Sequence, residues 1–99
     1  MIDLQRISGF DWDEGNARKN EKHGVSMAEA EQVFFNAPLL VLQDGTHSQD
    51  EVRLHALGKS DDGRVLHITF TLRQSGELIR VISARDMHRK ERTIYDQAH

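Results

Sequence analysis

Nine polar side chains between positions 51 and 85 are the part of this 99-residue sequence best suited to chemistry. Glu51, Arg53 and His55 are spaced by two, as are His67, Thr69, Thr71 and Arg73, and then Ser83 and Arg85. Successive side chains of a β-strand point to opposite faces, so each set would project from one side of a sheet. Their combined chemistry suits a phosphodiester. Cleavage of RNA without a metal needs a base for the 2′-hydroxyl proton, a cation for charge building on the phosphate, and an acid for the departing 5′-oxygen. Arginine fits the middle task because its planar fork meets phosphate oxygens bidentately and stays charged. The competing reading of the same spacing is a solvent-facing surface with cross-strand charge pairs, such as Glu51 with Arg53 or Arg73.

Strands must present these residues, and the apolar positions show where. Val52, Leu54 and Ala56 share one side of a first strand, and Leu66, Ile68, Phe70 and Leu72 share one side of a second. Lys59 to Gly63 reads as the turn between them, and Gln74-Ser75-Gly76 leads into a third strand from Leu78 to Arg85. Matching apolar residues across the first hairpin sets Val52 opposite Phe70, Leu54 opposite Ile68 and Ala56 opposite Leu66. On the reverse face, Glu51 then lies by Thr71, Arg53 by Thr69 and His55 by His67. This alternation is expected to steer Arg53, Arg73 and Arg85 from separate strands into a common pocket.

Helices bracket the strands. Asp11 or Asp13 caps a first helix running to about His23, with Gly24 as its stop. Ser26 to Glu29 has the S-x-x-E form of a capping box, and Ala30, Val33, Phe34 and Ala37 follow on one face of a second helix that Pro38 ends. Leu39 to Leu42 reads as a further short strand, and Asp44 to Gln49 as a loop. Asp86 to Gln97 forms a last helix, docking through Met87, Ile94, Tyr95 and Ala98. The expected fold class is α+β: an antiparallel sheet of about four strands with two N-terminal helices and one C-terminal helix on one side, the other face left open.

The length allows one hydrophobic core, so residues 1–99 are read as one domain. Without cysteine there is neither a disulfide framework nor a thiolate metal site, which fits a reducing cytoplasm. Asp3, Gln5 and Arg6 interrupt the apolar residues of the N-terminus, so nothing there reads as a signal peptide or membrane span. Six histidines raise the question of a metal, yet no H-E-x-x-H motif occurs and only His55 and His67 are placed to meet. Neither a metal nor another cofactor is expected. The net charge of −3 argues against a non-specific polyanion binder, but it is unevenly spread. Residues 1–50 carry four basic and nine acidic side chains, and residues 51–99 carry nine basic and seven acidic. Arg73, Arg80, Arg85, Arg89, Lys90 and Arg92 gather late in the chain.

Words spread along nearly the whole chain resemble the BrnT toxins of bacterial type II toxin–antitoxin modules. In the first half they are Phe10 to Asp13, Asn16, Asn20, Lys22 to Ser26, Glu29-Ala30 and Val33-Phe34. In the second half they are Glu51, Arg53, Gly58, Gly63-Arg64, Phe70-Thr71, Arg73, Ile82 to Arg85, Arg89, Glu91-Arg92 and Tyr95. The resemblance implies a RelE-like fold, an endoribonuclease that inhibits translation, and neutralisation by a BrnA-like ribbon-helix-helix antitoxin in a hetero-oligomer. Carried over position by position, it implies His23, Glu51, Arg53, Arg73 and Arg85 as catalytic candidates. Lys22, Arg80 and Tyr95 are the candidates for RNA binding. The sequence departs from the family at Met27, where an aromatic residue is common, and at His67, where an aliphatic one is usual. The alternative is a binding module without turnover, an inactive toxin relative or an adaptor for nucleic acid or antitoxin.

Overall fold

A computed structural model describes residues 4–43 and 52–98. Its centre is a five-stranded sheet in the order β1-β5-β4-β3-β2, formed by β1 (Gly9–Phe10), β2 (Leu40–Gln43), β3 (Leu54–Lys59), β4 (Val65–Arg73) and β5 (Leu78–Asp86). Every pairing is antiparallel except that of β1 with β5. The expected α+β class holds, with one strand more than expected and a mixed sheet. Two residues cannot display an alternating pattern, which is why β1 escapes a reading of periodicity.

The first hairpin keeps the expected faces but not the expected partners. Leu54 lies opposite Phe70, Ala56 opposite Ile68 and Gly58 opposite Leu66, a shift of two residues from the expected register. β3 continues through Gly58 and Lys59, and the turn tightens around Ser60, whose N–H donates to the Arg64 carbonyl at 2.9 Å. Gly58 hides this continuation because it contributes no apolar side chain. Val33 fills the space above it, and a Cβ at Gly58 would lie 2.7 Å from Val33 Cγ1. A two-residue shift returns every side chain to its original face, so the polar set remains together.

The core face is covered by α1 (Glu14–Glu21) and α2 (Met27–Val33). Phe34 stands edge-on to Phe70 with ring centroids 5.0 Å apart and also meets Phe10 at 5.7 Å. Asp13 and Asn16 form a reciprocal capping box at the start of α1, and Ser26 and Glu29 form another at the start of α2. α1 has no apolar stripe. Asn16 is its tie to the sheet, donating from Nδ2 to the carbonyls of Val81 at 2.9 Å and Asp11 at 3.1 Å.

α3 (Arg89–Gln97) corrects the expectation that all helices share one side. Leu57, on the polar face of β3, is 2% exposed and packs with Met87 and Tyr95, flanked by Leu40 and Val65. The helix therefore sits on the reverse face, at the end of the sheet where β5 finishes. Leu57 and Val65 are the apolar interruptions in that face that give it a place to dock.

Candidate functional site

Beyond α3 the polar residues of this face run along β3, β4 and β5, with His67, Thr69 and Thr71 of β4 buried and His55, Arg73, Arg80 and Arg85 half-buried around them. Register aligns His67 with Arg85, Thr69 with both His55 and Ser83, and Thr71 with Arg80. A bulge between Thr69 and Phe70 lets β5 gain one residue, so Arg80 returns to the face of Arg85 despite the odd spacing between them.

Arg85 stands at the edge of α3. Its Nη1 and Nη2 donate to the two carboxylate oxygens of Glu91 at 2.8 and 3.0 Å, and Nη1 also donates to the Asp86 carbonyl at 3.1 Å. A guanidinium has five N–H groups, and among the described residues the Nε edge with the second Nη2 hydrogen has no acceptor, which makes it a two-donor fork suited to a phosphate. The Arg85 hydrogen bond holds the Glu91 carboxyl down at about 2, and Glu91 in return raises Arg85. Glu91 is thus ionised wherever RNA chemistry would run and acts as a fixed clamp on the arginine. Its N–H bond from His88, at 2.8 Å, ties the same carboxylate to the start of α3.

Beside this clamp two imidazoles meet. His55 Nδ1 is 3.2 Å from His67 Nε2 and 3.2 Å from Thr69 Oγ1, while His67 Nε2 is 3.8 Å from Glu91 Oε2. Burial, followed by the positive Arg85, pushes His67 below its ordinary value and keeps it neutral. The expected meeting of the two histidines is found, by a diagonal rather than a directly opposed pairing.

Arg73 ends β4 on the same face, six residues from His67, which is about 20 Å of strand. Arg53 is exposed just before β3, where Thr71 Oγ1 donates to the Val52 carbonyl at 2.8 Å. The three arginines are therefore strung along one face, in contrast to the common pocket expected for them. Arg80 pairs with Asp13 at 2.7 Å and Asp11 at 3.5 Å, at the β1 edge. Lys22 and His23 are exposed on the turn after α1, where Gly24 adopts φ 72°. Arg64 fixes that turn, donating to the Gly24 carbonyl at 2.8 Å and to Asp86 at 2.8 and 3.2 Å. Glu51 lies outside the described residues.

Tyr95 corrects an expectation. It is 2% exposed, and its hydroxyl donates to the Pro38 carbonyl at 2.7 Å, so its ring serves the packing of α3 and cannot stack on a base. Reasoning from sequence also missed the part played by Glu91. The signal was its position six residues after Arg85, at the third turn position of a helix whose docking face had been misplaced.

A cavity of about 540 Å³ opens between α1 and β5, lined by Asp13, Asn16, Lys19, Arg80 and Ile82. No helix among the described residues is long and apolar enough to cross a membrane.

The mixed five-stranded sheet with its helices defines a small α+β protein that carries a clamped arginine, two neighbouring histidines and further arginines along one face. The family model of the BrnT ribonuclease toxins of type II toxin–antitoxin systems matches residues 12–91, and the chain belongs to that family. It is accordingly a ribonuclease toxin, with RNA as its target and an antitoxin as its partner. Comparison with curated proteins gives no match.

Proposed function

We propose that the polar face of β3, β4 and β5 is the surface on which this toxin binds and cuts RNA, without help from a metal. The observation that carries the reading is Arg85: Glu91 holds its guanidinium from one edge and leaves the other as a fork. Such an orienting contact fixes a donor before charge develops on the phosphate, which is the arrangement that stabilises a transition state most. Arg53 and Arg73, further along the strip, hold flanking phosphates of an extended strand. Arg80, Lys22 and His23 add backbone contacts at its margins. Glu51 adds a carboxylate beside Arg53 in sequence. The partner is a BrnA-like ribbon-helix-helix antitoxin that closes this face in a hetero-oligomer.

The test is cleavage of RNA by purified protein in excess chelator. Wild type is expected to cut at an undiminished rate, and Arg85→Ala to lose about 100-fold or more while keeping its circular dichroism spectrum. Equal rates for the two proteins would refute the assignment, and loss of wild-type cutting in chelator would refute the metal-free chemistry.

A further inference from the structure

The first turn of α3 is built against its own electrostatics. Amide groups at the start of a helix carry partial positive charge, so carboxylates are favoured there and cations are not. Arg89 and Lys90 nevertheless take the first two positions and Arg92 the fourth, while Glu91 between them is drawn onto Arg85. All three cations are exposed, and among the described residues no ion pair or side-chain hydrogen bond holds any of them. A local conflict of this kind marks a place where function sets the residue. We propose that Arg89, Lys90 and Arg92 hold the phosphates of RNA where the strand leaves the Arg85 fork over the start of α3. This deepens the reading of the polar face as the RNA site and rests on it.

Helix geometry places the three beside the fork. Glu91 points at Arg85, and Lys90 and Arg92 leave the helix about 100° to either side of it. Arg89 stands one turn before Arg92 on the same flank. That flank faces the end of β5, where Arg92 helps to lower the Asp86 carboxyl. Asp86 in turn accepts from Arg64 at 2.8 and 3.2 Å, and Arg64 donates to the Gly24 carbonyl at 2.8 Å. Through Arg64 the exposed Lys22–His23 turn is thus tied to the corner from which α3 starts. Arg85, Arg92, Arg89 and Lys22 accordingly lie around one end of the sheet, although they come from three separate elements of the chain.

The chemistry of this surface fits a polyanion better than a protein. The carboxylates bonded at this corner, Glu29, Asp86 and Glu91, are engaged by Arg64 or Arg85, and the charge of the three exposed side chains is left for a ligand. Protein interfaces centre on apolar and aromatic side chains and are depleted in lysine. Ile94 is the one large apolar residue exposed on α3, and it lies on the flank away from Arg92. Cations on long stems, in contrast, follow a phosphate chain without reading its bases. The contact therefore adds affinity irrespective of sequence, while the chemistry stays at Arg85.

The test is binding of a short 2′-O-methylated RNA, which cannot be cut, over a series of salt concentrations. On a single strand each phosphate contact contributes about 0.7 to the slope of log K against log salt. The triple variant Arg89→Gln, Lys90→Gln, Arg92→Gln is expected to lower the slope by about 2 and to bind about 10-fold or more weaker. Its urea midpoint is expected to rise, because the dipole conflict is relieved. Arg89→Lys with Arg92→Lys keeps the charges and is expected to keep the slope. Arg6→Gln, which neutralises an exposed cation at the end of the sheet where β5 begins, is expected to leave the slope unchanged; a loss there equal to that of Lys90→Gln would reduce the effect to overall charge and overturn the path. An unchanged slope in the triple variant beside an Arg85→Ala that no longer cuts RNA would overturn this proposal and leave the polar face standing. Wild-type behaviour in both would overturn both. Retained RNA binding with loss of the antitoxin would assign the surface to a protein contact instead. Should the triple variant fail to fold, Lys90→Gln alone is expected to lower the slope by about 0.7, and an unchanged slope there would overturn the proposal.

Discussion

Replacing Glu91 with glutamine should isolate what its carboxylate contributes, the largest part of which is the clamp on Arg85. The Glu91 carboxyl lies at about 2 against an ordinary 4.5. That gap corresponds to about 3 kcal/mol of native-state preference for the ionised form. With 21% of the side chain open to solvent, screening reduces the figure to about 2 kcal/mol. A carboxyl depressed by folding stabilises the native state above its unfolded value and loses that contribution as pH falls toward the folded value. Wild type should therefore exceed Glu91→Gln by about 2 kcal/mol near pH 7, and the difference should shrink steadily from about pH 5 downward. Asp13 and Asp86 are also lowered, by backbone and side-chain hydrogen bonds led by Asn16 and Arg64 respectively, but they remain in both proteins and cancel. Urea unfolding of the two proteins at a series of pH values measures the difference directly. A gap that stays constant from about pH 7 to about pH 3 would show that the carboxylate is not held by Arg85.

The remaining predictions concern packing. Gly58→Ala places a methyl 2.7 Å from Val33 Cγ1 and 3.3 Å from the Val33 carbonyl, so it should cost about 1–3 kcal/mol in urea unfolding; an unchanged midpoint would mean that α2 shifts freely over β3. Tyr95→Phe removes the donor to the Pro38 carbonyl and should cost about 1 kcal/mol while leaving RNA affinity intact, and a loss of affinity at unchanged stability would return Tyr95 to the RNA site.

The faces of the central strands could be read from sequence because a period of two survives any even shift in register. Partners could not be read, because Gly58 offers the pattern no side chain and the true end of β3 lies beyond it. The same limit explains α3. Leu57 and Val65 break the polarity of the reverse face, but read along the chain they look like ordinary strand residues; only the closed hairpin puts them together as a seat for Met87 and Tyr95. Once that seat is missed, Glu91 looks like a surface charge, although Tyr95 does dock as the apolar stripe of the helix suggests.

The position of α3 also decides how the arginines divide their work. A helix on the core side would have left Arg85 without the Glu91 carboxylate that distinguishes it from Arg53. Docked on the polar face, α3 brings one carboxylate to one guanidinium and removes part of the water around both, which strengthens their bond and sets the orientation of the free edge. Arg53, exposed before β3, has no such constraint described for it and suits a mobile phosphate contact better than a transition-state donor. The ordering of roles along the strip, rigid at the α3 end and looser toward Arg53, therefore follows from where two apolar residues interrupt a polar face.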